Sequence, residues 1–388
     1  MEKKHAKRLF IFNPDCEMSI AAGGKYYTPP ANVLKMAEDL AFLPAWLGTK
    51  EDRVVVKELP DVSFMHAVCE PLQLECMPIL ESQLGNCTAW DASPWGKSPG
   101  MCHWLNKRGI GEEWKPEQKE WYSRKTAREG LARLMEMLPF VRTDVLPQMC
   151  YSLPELELKV GKGQWIVKAP WSSSGKGILV LKNGIGVKEK EWLTGMLKRQ
   201  KYLMLEKRLD KVEDFAMEFF SGADGVAFMG WSSFSTGLHG EYIGNFLGAQ
   251  IIIERRLIGL LGEEIINALK IEIPRMIGEL IPCYRGPLGV DMMIYRENGE
   301  LAVQPCVEIN LRYNMGIVAM FLSRRLCEKT KGTFCIRFYS QKEEALHQHI
   351  QLQRNVPIIY ENNRIKSGYL NLTPVHETTH FVASVRCY

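Results

Sequence analysis

The dipeptide Asn298-Gly299 stands between two apolar, β-prone runs, Gly289 to Tyr295 and Leu301 to Asn310. Asn-Gly accepts positive φ at both central positions of a two-residue turn, so this pattern predicts a β-hairpin. The turn pairs Glu297 with Glu300, and counting back along both strands sets Asp291 opposite Cys306. Side chains alternate across a strand, so Glu308 and Asn310 share the face of Cys306, and Glu308 lies diagonal to Asp291. Pro305 cannot donate to the ladder and is where a bulge would disturb this register. Two carboxylates and an amide oxygen then converge. Unpaired carboxylates so close repel each other unless a cation lies between them, and oxygen donors of this kind suit Mg²⁺. Arg312 falls on the same face, where it could neutralise phosphates or a developing intermediate. The alternative is a polar stripe on a half-buried strand.

A second motif lies upstream. Trp165 to Lys168 and Ile178 to Leu181 are apolar runs around a small-residue loop containing Ser172, Ser173, Ser174, Gly175, Lys176 and Gly177. Glycines without a Cβ let backbone N–H groups and the serine hydroxyls approach a polyphosphate, Lys176 adds a mobile cation, and Lys168 points from the strand to the same place. The loop is not a Walker A motif: glycine follows Lys176, and a strand rather than a helix comes next. An ordinary hairpin turn is the competing reading.

With 388 residues the chain is expected to form two or three packed units. Hydrophobic residues make up 46% and charged residues 24%, as in ordinary globular proteins, which excludes long disorder. A net charge of +4 without a basic block argues against nucleic acid as a partner. No apolar run approaches the roughly 18 residues of a membrane span, and the apolar start is too short for a signal segment, so no membrane and a cytoplasmic setting are expected. The 11 cysteines are scattered with no Cys-x-x-Cys pair, the pattern of reduced, mostly buried thiols.

Along the chain, Leu9 to Phe12, Val54 to Val56 and Phe64 to Val68 read as strands, and Ala31 to Trp46 as an amphipathic helix. The stretch from Thr88 to Pro116 reads as loop. Ser123 is the expected N-cap of a helix that Pro139 stops. Short β-prone runs from Trp165 to Trp231 imply a mostly antiparallel sheet, and Glu263 to Ile281 reads as a helix interrupted at Pro274. The end mixes a helix-prone stretch, Gln341 to Arg354, with a strand, Phe381 to Val385. His376-Glu377-Thr378-Thr379-His380 matches a zinc-protease pattern, but Pro374 and the threonines argue against the helix that pattern requires.

In this order, a strand lysine (Lys168), a glycine-rich hairpin loop, Glu206, Asp291 and Glu308-Ile309-Asn310-Leu311-Arg312 resemble the signature of the ATP-grasp superfamily of carboxylate-amine and carboxylate-thiol ligases. The likeness covers roughly residues 120–325. It implies an α/β (α+β) fold: a pre-ATP-grasp α/β domain over 1–117, an ATP-grasp domain over 118–325 with lobes of about 118–204 and 205–325, and a C-terminal extension over 326–388. ATP would lie between antiparallel sheets. By the same resemblance, Lys168 and Lys176 contact phosphates, Glu206, Lys207 and Leu209 line an adenine slot, and Asp214 holds ribose, with Asp210 and Glu213 competing. Asp291, Glu308 and Asn310 carry Mg²⁺ or Mn²⁺, and Arg312 and Lys176 act in catalysis. The implied reaction activates a substrate carboxylate, of an amino acid or peptide, as an acyl-phosphate and passes it to an amine-like acceptor. His239, Arg255, Arg256 and Arg285 are candidates for gripping that carboxylate. A homodimer is compatible with the resemblance. Two rival readings are a kinase-like phosphotransferase and an inactive nucleotide-binding regulatory module.

Overall fold

The computed structural model describes residues 7–85, 89–172, 177–182, 184–237 and 240–388. The chain divides into two compact units: residues 1–115, 244–250 and 313–388 form one, and residues 116–243 and 251–312 the other. The first boundary lies beside the expected 117. The second unit closes at Arg312 instead of 325, and the last residues join the first unit.

The first unit contains a parallel sheet in the order Met77–Leu80, Arg53–Val56, Arg8–Ile11, Asp91–Pro94. Leu9, Phe10 and Val54 are fully buried, as expected for central parallel strands covered on both faces. Strand Asp91–Pro94 and helix Pro99–Asn106 fall in the stretch expected to be loop. Asp-Ala-Ser-Pro has no β-propensity, so only its parallel pairing with Arg8–Ile11 makes it a strand. Phe64 to Val68, expected as a strand, is helical instead. Asp61 caps that segment, its side chain accepting from the Phe64 amide.

The C-terminal residues complete this unit's core. Strands Gly332–Phe338, Arg364–Asn371 and Phe381–Cys387 pair antiparallel, and helix Met315–Ser323 is apolar on nearly every side. Phe10, Trp46, Ile317, Phe334, Leu370 and Ala383 share one buried cluster. The Trp46 indole donates to the Leu372 carbonyl at 2.8 Å, and Asp39 accepts from the amides of His380 and Phe381. Residues 376–380 are not helical, and His380 instead contacts the Tyr339 carbonyl, which removes the zinc-protease reading.

The second unit carries two antiparallel arrays. One runs Gln148–Cys150, Leu203–Lys207, Trp165–Lys168, Ile178–Leu181, packed against helices Leu153–Lys159 and Val187–Gln200 through Val167, Leu181, Leu193 and Leu205. The other has Glu300–Asn310, Gly286–Glu297, Asp210–Gly222 and Gly225–Thr236 as successive neighbours. Helix Arg124–Met137 packs on strand Glu300–Asn310 and on helix Glu263–Leu280, which runs unbroken through Pro274. Ser123 occupies the cap position, but its hydroxyl donates back to the Glu120 carbonyl rather than capping the helix. Among the described residues no helix is long and apolar enough to cross a membrane.

Candidate functional site

The Asn298-Gly299 hairpin forms as expected, with φ of 52° and 87° at the two turn residues. Its register holds from Glu297↔Glu300 to Met293↔Gln304 and then shifts, so that Asp291 pairs with Glu308 rather than with Cys306. The correction has a local cause. Three residues, Pro305, Cys306 and Val307, face the single Met292, and the Gln304 side chain takes up the displaced backbone: its Oε1 accepts from the Cys306 amide at 2.7 Å and its Nε2 donates to the Cys306 carbonyl at 3.2 Å. The bulge draws the two carboxylates from a diagonal to a direct pair.

Neighbouring strands extend this acidic face. Gly289 pairs with Glu218, so alternation places Glu218 and Asp214 of strand Asp210–Gly222 on the side of Asp291. Glu218, which the sequence reading missed, is buried and accepts from the Ser232 hydroxyl at 2.8 Å. Burial first, then the charges of Glu308 and Glu218, push the Asp291 carboxyl well above its usual range, against the opposing hydrogen bond from Asn310 and the charge of Arg312. The Asn310 Nδ2 donates to Asp291 at 3.0 Å while its Oδ1 accepts from Arg312 at 3.0 Å. Asn310 therefore turns its nitrogen, not its oxygen, toward the acidic pair.

Facing this array is the strand-borne lysine. Lys168 pairs with Met204 and Ile166 with Glu206, so Lys168 and Glu206 are diagonal neighbours on one face. Their side chains form a largely buried ion pair at 2.7 Å. A cavity of about 970 Å³ lies between the two arrays, lined among others by Lys168, Glu206, Lys207, Leu209, Asp214, Asp291 and Glu308. Asp214 accepts from Lys211 at 2.6 Å and from the Thr236 hydroxyl at 2.7 Å. Asp210 also lines the cavity, whereas Glu213 is taken by Arg256 at 2.8 Å.

Arg124, buried at the start of its helix, links the glycine-rich loop to the acidic pair. Its Nη1 donates to the Ala169 carbonyl at 2.9 Å and the Ser172 hydroxyl at 2.8 Å, and its Nη2 meets Glu308 at 2.9 Å. Sequence reading passed over Arg124 because an arginine in the first helical turn ordinarily signals nothing. The loop base is fixed further by Gln200, which exchanges hydrogen bonds with the backbone of Trp171. Gly177 has φ of +82°, and a Cβ there would come within 2.8 Å of Ser172. Ser173, Ser174, Gly175, Lys176 and His239 lie outside the described residues.

The remaining basic candidates do not line the cavity. Arg256 is held by Glu213, Arg285 donates to the carbonyls of Pro282 and Tyr284, and Arg255 is exposed. Among the described residues no group of three or more His, Cys, Asp or Glu forms a metal cage. The paired Asp291 and Glu308 nevertheless fit a hard divalent cation that takes one or two carboxylates and completes its shell with ligand phosphates and water.

By sequence the chain matches no family model and no curated protein. By structure it is similar across its length to solved enzymes. Biotin carboxylase from Campylobacter jejuni, in a β-γ-ATP complex, superposes with a TM-score of 0.51 at 14% identity, covering 99% of this chain and 88% of that one. The fold is that of the ATP-grasp enzymes. Two further likenesses agree with an ATP-grasp fold. The L-amino acid ligase from Bacillus licheniformis gives 0.50 at 14% identity, covering 99% of this chain and 94% of that one. The biotin carboxylase domain of the Hydrogenobacter thermophilus 2-oxoglutarate carboxylase, in complex with MgADP, ADP and bicarbonate, gives 0.51 at 10% identity over 98% and 86%.

Proposed function

We propose that the ATP-grasp unit binds Mg-ATP in its 970 Å³ cavity and that the protein is an ADP-forming ligase joining a carboxylate to an amine-like acceptor. The observation that carries the proposal is the meeting of Lys168, Arg124 and the Asp291–Glu308 pair around one cavity at the foot of a glycine-rich loop. Two neighbours of the same fold solved with adenine nucleotides, and a third that is an L-amino acid ligase, support it.

In this reading, Lys168 and Arg124 hold the phosphates and Gly177 keeps the loop backbone close to them. Glu206, Lys207 and Leu209 face the base, and Asp214 faces the ribose. Asp291 and Glu308 would hold a Mg²⁺ or Mn²⁺ ion, which when bound screens charge on the phosphates. The γ-phosphoryl group passes from the bridging oxygen of ATP to a substrate carboxylate oxygen, giving ADP and an acyl-phosphate. The amine nitrogen then attacks the carbonyl carbon, phosphate leaves, and the nitrogen loses a proton. Arg312, which donates to Asn310, would stabilise charge that develops in these steps. A cytoplasmic setting, favoured by the cysteine pattern, belongs to the proposal.

Calorimetric titration with ATP, with and without Mg²⁺, tests it on the native chain and on Asp291→Asn/Glu308→Gln. Magnesium-dependent binding that the double variant loses is the expected result. Absence of binding to the native chain would leave the fold without this function. Binding with phosphoryl transfer but no acceptor-dependent product would point to a phosphotransferase.

A further inference from the structure

A buried guanidinium must satisfy every N–H donor it carries, and Arg124, only 7% exposed, satisfies its donors unevenly. Its Nη1 is engaged at the foot of the glycine-rich loop, on the Ala169 carbonyl at 2.9 Å and the Ser172 hydroxyl at 2.8 Å. On the other edge Nη2 meets Oε1 of Glu308 at 2.9 Å, while the Nε–H beside it is buried with no acceptor among the described residues. That edge, Nε together with Nη2, is a fork that takes a carboxylate or a phosphate on two parallel hydrogen bonds. Glu308 uses half of it.

The main chain keeps the fork in place. The Arg124 amide donates to the Pro170 carbonyl at 3.0 Å, and together with the Nη1 contacts this ties the residue to the loop base independently of Glu308. The Nε–Nη2 edge can therefore change partner without Arg124 leaving its position. Two demands fall on Glu308. Beside Asp291 it fits a hard divalent cation, yet its charge is also drawn on by the guanidinium, and the two cations compete for one carboxylate. A phosphate outbids Glu308 for the fork, because it offers two oxygens to the two parallel donors and carries more charge.

We propose that Arg124 gates the metal carboxylate: without nucleotide its Nη2 holds Glu308, and a phosphate of the nucleotide, taking the whole Nε–Nη2 edge, releases Glu308 to a divalent cation. This rests on the nucleotide reading above and adds to it a coupling, since an anion that frees Glu308 raises the affinity for the cation, and the cation raises the affinity for the anion by the same factor.

The test follows free Mn²⁺ by electron paramagnetic resonance as it is titrated into full-length protein without nucleotide. Arg124→Gln leaves Glu308 uncontested and should bind Mn²⁺ on the order of tenfold more tightly than the native chain. The gain should vanish in Arg124→Gln/Glu308→Gln. Arg124→Met, which fills similar volume without charge, should show the same gain and serves if Arg124→Gln does not fold, as judged by melting temperature. Lys125→Gln removes the same charge one residue along, from a half-exposed side chain that faces Glu129 at 3.8 Å, and should leave Mn²⁺ affinity unchanged. In chelator, ADP should bind Arg124→Gln more weakly than the native chain. Mn²⁺ affinity no higher in either Arg124 variant, including no binding by any chain, or an equal gain in Lys125→Gln, would overturn the gate. If the native chain still binds ADP, that result leaves the nucleotide reading standing. A native chain that binds neither ADP nor Mg-ATP ends that reading, and the gate with it.

Discussion

Asp291 sits opposite Glu308 and near Glu218, and its carboxyl is held above the ordinary range. An unfolded chain releases that proton first, so in the metal-free protein stability should fall as pH rises from the ordinary carboxylate pKa through the raised folded value. Asp291→Asn removes the titrating group. Urea unfolding in a chelator should therefore find the variant more stable at neutral pH by on the order of 1 kcal/mol, with the gap closing near about pH 4. Equal stability at both pH values would show that the pair bears no uncompensated charge. At this scale the sequence was informative where chemistry is unusual: Lys168, Asp291, Glu308 and Asp214 all reach the cavity. Arg124 and Glu218 were illegible because a charged residue in a helix or strand ordinarily faces water, and only the fold shows these two to be buried. The surface arginines erred in the opposite sense: Arg256 is claimed by Glu213 on a face that sequence alone could not locate.

Among elements, the hairpin Gly286–Glu297/Glu300–Asn310 was legible from Asn298-Gly299, and its bulge was signalled by Pro305 without its size being readable. Its size is set by Gln304, whose amide satisfies both backbone groups of Cys306. Gln304→Leu keeps the volume but leaves a buried N–H and C=O unpaired, which should cost about 1–3 kcal/mol in chemical denaturation. The same substitution should weaken Mg²⁺-dependent nucleotide binding, because the bulge sets which residue faces Asp291. An unchanged denaturation midpoint would show that the bulge is held by other contacts. Helix Pro99–Asn106 carried readable signals, Ser98 as cap and Pro99 at its first position, but strand Asp91–Pro94 carried none. Parallel pairing, a long-range property, created it.

For the whole molecule, the end of the chain is the part the sequence did not place. Local patterns gave a helix and a strand near the C terminus, yet nothing local shows that Phe334, Leu370 and Ala383 share a core with Phe10 and Trp46. Ending the chain after Arg312 deletes Tyr313, Ile317 and these residues from the first unit's core while sparing every residue of the second. The shortened chain should aggregate on size exclusion and lose near-ultraviolet dichroism. A monodisperse product with native dichroism would contradict a core shared between the two ends of the sequence. That shared core also orders events during synthesis. Leu9, Ile11 and Val55 are covered by early residues such as Leu105 and Ile110, but the opposite face, Phe10, Val54 and Val56, shares its cluster with Ile317 and Phe334, so that face is completed only after translation of the entire second unit. Slow codons or a bound chaperone over that interval would govern the yield of native protein more than any single contact within it.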